Sequence, residues 1–123
     1  MKQPPAGTGE RMAKMTLAQI YPMYVNKVEK KGRSEAELLE VIEWLTGHGE
    51  KAIRKMIDAE TTFGELFEQS TLNPNAHLIT GVICGYRVEE LEDPFIQQVR
   101  YLDKLIDELA RGKKMEKIMR SAE

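Results

Sequence analysis

The chain has 123 residues, is 41% hydrophobic and 31% charged, and carries a formal net charge of −2. Such a composition predicts one soluble globular domain with a real core, and its slight acidity disfavours nucleic acid as the main partner. One cysteine excludes an intrachain disulfide and, with two histidines, supplies no metal-ligand set, so neither a metal nor a cofactor is expected. Low cysteine use also fits a reducing compartment, and a cytoplasmic location is expected.

The first residues, Met1 to Glu10, are polar, rich in Pro and Gly, and lack an apolar h-region. They predict a disordered tail over residues 1–14, with Met12 or Met15 as the start of the domain proper. The longest apolar run is about nine residues, roughly half of a membrane span. Thr16 and Gln19 form a capping-box pattern. Leu17, Ile20, Tyr21, Tyr24, Val25 and Val28 follow at helical spacing. Pro22 leaves two readings, a helix beginning there after a short turn or a helix kinked there. Gly32 closes it.

Ser34 and Glu37 make a second capping box, followed by a stripe of Leu38, Val41, Ile42 and Leu45 with Trp44 on its edge. Gly47-His48-Gly49 stops that helix, because glycine takes the left-handed closing conformation without steric cost; His48 is expected to be exposed. Ile53, Met56 and Ile57 mark a third, shorter helix. Thr62 and Glu65 open a fourth with Phe63, Leu66 and Phe67.

Asn73-Pro74 reads as a cap followed by proline at the first helical position. The apolar run from Leu78 to Tyr86 is therefore expected to be helical. Its Gly81 and Gly85 would let another helix approach closely. A short buried strand at 78–84 is the alternative, since Ile79, Thr80, Val82 and Ile83 are β-branched. Cys84 is expected to be a small buried hydrophobe. Asp93-Pro94 opens the best helix, Pro94 to Arg111, with Ile96, Val99, Leu102, Leu105, Ile106 and Leu109 on its buried stripe. Acids at its start and bases at its end match the helix dipole. A last short helix with Met115, Ile118 and Met119 is expected to dock on the core. The fold class is all-α, a compact single-domain bundle of about six helices over residues 15–120, followed by a C-terminal tail at 121–123.

His77 and Cys84 have the residue types of a base and a nucleophile. On a helix, however, seven residues span roughly 10.5 Å of axis, beyond the reach such a pair needs. Polar residues flank the apolar run at both ends: Asn73, Asn75 and His77 before it, Arg87, Glu89 and Glu90 after it. These are the candidate ligand-binding residues, since paired carboxylates do acid–base work or bind cations. Capping explains the asparagines equally well, and one helix would hold the two ends too far apart for a single site. No catalytic residue is assigned, and the chain reads as non-enzymatic.

The leading functional reading is a non-catalytic interaction or regulatory domain that self-associates into a homo-oligomer. Its seven methionines suit adaptable contact surfaces, and a separate protein partner is allowed. One alternative is a small-ligand-binding protein or enzyme using the segment from Asn73 to Glu90. Another is DNA binding through the helix after Gly49. There Lys51, Arg54 and Lys55 are offset by Glu50, Asp58 and Glu60, whereas recognition helices sit in more basic chains.

Seven segments carry a family resemblance: Met15–Val25, Lys30–Arg33, Trp44–Gly47, Leu72–Asn75, Leu78–Gly85, Arg87–Pro94 and Arg100–Leu109. They resemble a bacterial family of uncharacterised small proteins known as domain of unknown function 2200. The resemblance covers nearly everything from Met12 to Arg120. It implies a small bacterial cytoplasmic protein without an assigned activity and carries over no catalytic residues. The residues before Met12 depart from the family pattern.

Overall fold

The computed structural model describes residues 2–121. Among them are seven α-helices: α1 (Thr8–Lys14), α2 (Leu17–Glu29), α3 (Glu35–Thr46), α4 (Glu50–Asp58), α5 (Phe63–Glu68), α6 (Pro94–Ala110) and α7 (Met115–Ile118). A hairpin of two short strands, β1 (Val82–Ile83) and β2 (Tyr86–Arg87), lies between α5 and α6. Single 3-10 turns at Ala76–Leu78 and Val88–Glu90 flank it. Of the expected C-terminal tail, residues 122 and 123 lie outside the described residues, as does Met1.

All three capping boxes close reciprocally, at Thr16 with Gln19, Ser34 with Glu37 and Thr62 with Glu65. In each, the cap side chain accepts from the third helical amide while the third side chain accepts from the cap amide. The starts of α2 and α5 also pair with each other: the Leu17 amide donates to the Thr61 carbonyl at 2.9 Å, and the Phe63 amide to the Met15 carbonyl at 2.8 Å. Pro22 neither starts nor splits α2, which is one helix from Leu17 to Glu29. The proline ring costs the Ala18 carbonyl its helical partner.

The core is organised on α6. It packs against α1, α2, α3, α5, α7, β1 and the second 3-10 turn, and Leu102, Leu105 and Leu109 along it are fully buried. Leu38 and Leu45 of α3, Ile53 of α4 and Leu66 of α5 complete that core. Asp93 caps α6 by accepting from the Phe95 and Ile96 amides, with Pro94 at the first turn, as the sequence predicts. The last helix docks as expected, with Ile118 fully buried.

Two expectations are corrected. The first is the tail: residues 8–14 are not disordered but form α1, which buries Met12 and packs on α5 and α6. A glycine permits this approach, since a Cβ on Gly64 would lie 3.2 Å from the Ala13 Cβ. Upstream, the Gln3 amide group donates to the Glu90 carbonyl at 2.9 Å and accepts from the Glu92 amide at 3.1 Å.

The second correction is the segment after Asn73-Pro74, where no α-helix forms. The chain makes a 3-10 turn and then the hairpin, pairing Val82 with Arg87 and Ile83 with Tyr86. Cys84 and Gly85 form its two-residue turn with φ of 52° and 83°. A type I′ hairpin turn needs positive φ at both central residues, and a helix cannot pass through them. Gly81 has φ 110°, so both glycines serve backbone turns rather than close helix packing. Cys84 is exposed at the hairpin tip, not buried. His48, in turn, is half-buried rather than exposed, and its Nε2 is shielded without a partner.

Candidate functional site

The sequence-predicted residues are dispersed by this backbone. Asn73 serves the end of α3: its Nδ2 donates to the Trp44 carbonyl at 3.0 Å and its own amide donates to the Leu45 carbonyl at 3.0 Å. The Thr71 amide takes the Thr46 carbonyl, so this strand of chain satisfies the last carbonyls of that helix. The Asn73 Oδ1 accepts from the Asn75 amide at 2.8 Å. Asn75 in turn donates from Nδ2 to the Arg120 carbonyl at 3.2 Å, holding the C-terminal segment. His77 is exposed, with Nδ1 2.9 Å from the Pro74 carbonyl.

Glu89 accepts from the Gly81 amide at 3.0 Å and latches the hairpin stem. That bond is the main reason its carboxyl sits below the usual range, with Arg87 a lesser one. Arg87 itself is exposed and lies 3.6 Å from Glu89. Glu90 contributes its carbonyl to Gln3. Arg87 and Glu89 meet, and so do Asn73 and Asn75, but no hydrogen bond joins the two groups among the described residues. None of these residues lines the two cavities described next.

The larger cavity is a groove of about 970 Å³ between α2 and α6, lined by Met23, Asn26, Lys27, Lys30, Lys31, Asp107, Ala110 and Arg111. Tyr24 bonds to Asp103 and Lys27 reaches Asp107 at 3.5 Å, so the two helices run in the same direction and end together. Arg111 also reaches Asp107, at 2.9 Å. The basic side chains complement the negative ends of both helices. Among the described residues no carboxylate pairs with Lys30 or Lys31. Met23 is 62% exposed on the groove wall. The pattern is visible in the sequence at helical spacing, 23, 26, 27 and 30, but it was masked by the apolar stripe on the opposite face of α2.

Met23 also borders a smaller cavity of about 260 Å³ between α1, α2 and α6, with Met12, Met15, Ile20, Phe63 and Val99 as apolar walls and Tyr24, Arg100 and Asp103 at its polar end. There the Tyr24 hydroxyl donates to Asp103 Oδ1 at 3.1 Å and Arg100 Nη1 donates to Oδ2 at 2.7 Å. Burial, and then Asp103, push the Tyr24 hydroxyl well up, so it stays protonated. The Arg100 Nε is shielded from solvent and has no partner among the described residues. Sequence reading placed Tyr24 on the buried stripe but gave Arg100 and Asp103 no role; their spacing, i and i+3 beside that stripe, was the available signal.

A third polar cluster fastens the C-terminus. Arg120 pairs with Glu108 through two bonds of 2.8 and 2.7 Å, and Lys113 lies 3.5 Å from the same carboxylate. Arg33 donates to the Leu109 and Lys113 carbonyls, closing the end of α6, and forms a two-pronged pair with Glu37. The Arg33 hydrogen bond, and then the Ser34 amide, hold the Glu37 carboxyl down at about 2. Among the described residues no three His, Cys, Asp or Glu side chains converge as a metal-ligand group. No helix there is long and apolar enough to cross a membrane.

These features define a compact, mostly helical protein with its polar side chains engaged largely in caps and latches. The chain belongs to the family of uncharacterized proteins conserved in bacteria (DUF2200), whose profile matches residues 11–120. It is also similar to a crystal structure of uncharacterized protein SP1917, at 36% sequence identity and a TM-score of 0.85, over 92% of this chain and 93% of that one. Among curated proteins, none is detectably similar to the chain.

Proposed function

We propose that the protein is a non-catalytic interaction domain that self-associates, the basic groove of one copy receiving the acidic outer face of α3 from another. The observation that carries this reading is a pair of exposed, opposite and unpaired charge patches on one chain. Lys30 and Lys31 lie on the groove. Glu40 and Glu43 are exposed on α3, Glu43 in a depression shared with Lys51 and Lys55 of α4, and neither has an ion-pair partner within 4 Å among the described residues. Two different patches meeting in this way make a head-to-tail contact. Met23 adds an exposed, adaptable apolar surface to the basic side.

The hydrogen bonds that engage Asn73, Asn75 and Glu89 within the chain favour structural roles for them over the ligand-binding or enzymatic alternative. For DNA binding, Arg54 is already held by Glu35 at 2.7 Å and by Glu50 at 3.2 Å, which weakens the basic face of α4.

Sedimentation tests the proposal. The wild-type chain should associate at high micromolar concentration in low salt and dissociate in molar salt, because exposed charge pairs are screened. Lys30→Glu with Lys31→Glu, and separately Glu40→Lys with Glu43→Lys, should each give a monomer. Mixing the two variants should restore association. A wild-type chain that stays strictly monomeric in low salt sinks the reading.

A further inference from the structure

We propose that the smaller cavity beside Met23 binds a neutral, mostly apolar small molecule carrying one hydrogen-bond acceptor, such as a ketone or ester, against Arg100. Three features of the cavity lead to this class. Its walls, Met12, Met15, Ile20, Phe63 and Val99, are apolar, and apolar cavities with a few convergent polar groups are the usual form of small-molecule sites. Its volume of about 260 Å³ corresponds to roughly nine water-sized groups at ~30 Å³ each. Its polar end has both oxygens of Asp103 already occupied, by Tyr24 and Arg100, while the Arg100 guanidinium keeps an N–H without a partner among the described residues.

The unused capacity is therefore that of a donor, and the ligand must supply an acceptor. Charge narrows the class further. Arg100 and Asp103 neutralise each other at 2.7 Å, so a carboxylate ligand would bring a second negative charge beside Asp103 in a poorly solvated place. A neutral carbonyl carries no such cost. The Arg100 Nε has almost no accessible surface, so a ligand reaches it only when the neighbouring side chains shift. Met15 and Met23 line the same cavity and have three rotatable bonds each with which to do so.

The probe is 2-octanone, titrated into protein carrying carbon-13 methyl methionine, in molar salt to suppress self-association. Saturable shifts are expected for the Met12, Met15 and Met23 methyls, with Met56, Met115 and Met119 unmoved. Octanoate should bind at least tenfold more weakly than the ketone. Arg100→Met should weaken 2-octanone by tenfold or more, as loss of a charged donor implies. Ile20→Trp, which enlarges one apolar wall of the cavity and leaves the Arg100–Asp103 pair in the chain, should abolish binding while the thermal melt stays cooperative. The proposal is overturned by the absence of saturable shifts up to the solubility limit, by equal shifts at all methionines, by octanoate binding as tightly as the ketone, or by unchanged binding in Ile20→Trp.

Discussion

Residues 16–68 and residues 71–91 are held in place in opposite ways. In the first region three of the four helix starts are closed by partners three residues apart, at Thr16 with Gln19, Ser34 with Glu37 and Thr62 with Glu65. In the second, the decisive bonds reach across the chain: Asn73 to Trp44, Asn75 to Arg120, Glu90 to Gln3. Locally capped helices carry their own instructions, whereas the connector takes its shape from what surrounds it. Damage to a capping box of the first region should therefore stay local, and damage to the latches of the second should loosen distant elements.

The largest expected effect is on the latch that the connector shares with the C-terminus. Arg120→Ala leaves Glu108, with a side chain only 9% exposed, holding Lys113 alone at 3.5 Å. The cost should be about 3 kcal/mol in urea unfolding, the low end for a broken buried pair. A loss under about 0.5 kcal/mol, the range of ordinary surface changes, would rule out the latch. Next comes Asn73→Ala, which strips the Trp44 carbonyl and the Asn75 amide of partners and should cost about 2 kcal/mol. Hydrogen exchange should show the last turn of α3 opening in that variant; protection unchanged there would collapse the contrast between the two regions.

The smallest effect lies in the locally capped region and depends on pH. The Glu37 carboxyl is depressed from 4.5 to about 2, so its contribution is fully present above pH 4.5 and fades as pH falls toward 2. In Arg33→Met the urea midpoint should fall less steeply across that window than in the wild type. Identical slopes would remove Arg33 as the cause.

The same contrast explains what was legible in the sequence. Capping boxes, the Asp93-Pro94 start and the stripe of α6 are local signals, and the helices they predict are present. Thr8–Lys14 has no such signal; α1 is held by burial of Met12 and by the close approach of Ala13 to Gly64. The hairpin was misread because positive φ at Cys84, a residue that rarely adopts it, leaves no mark in the composition. Asn73 and Asn75 were recognised as polar groups needing partners, but their partners lie 29 and 45 positions away. The groove and the small cavity escaped for a related reason, since each needs side chains from both α2 and α6.

The position of α6 in the chain has a consequence for synthesis. Four of the helices that precede it, α1, α2, α3 and α5, pack on it, and Leu102, Leu105 and Leu109 are fully buried there. Until those residues leave the ribosome, these helices have one another but lack their shared central partner, and Ile118 and Arg120 must follow before the last seam closes. A translational pause before residue 94 would expose a nascent chain whose helices lack their central partner to chaperones and proteases.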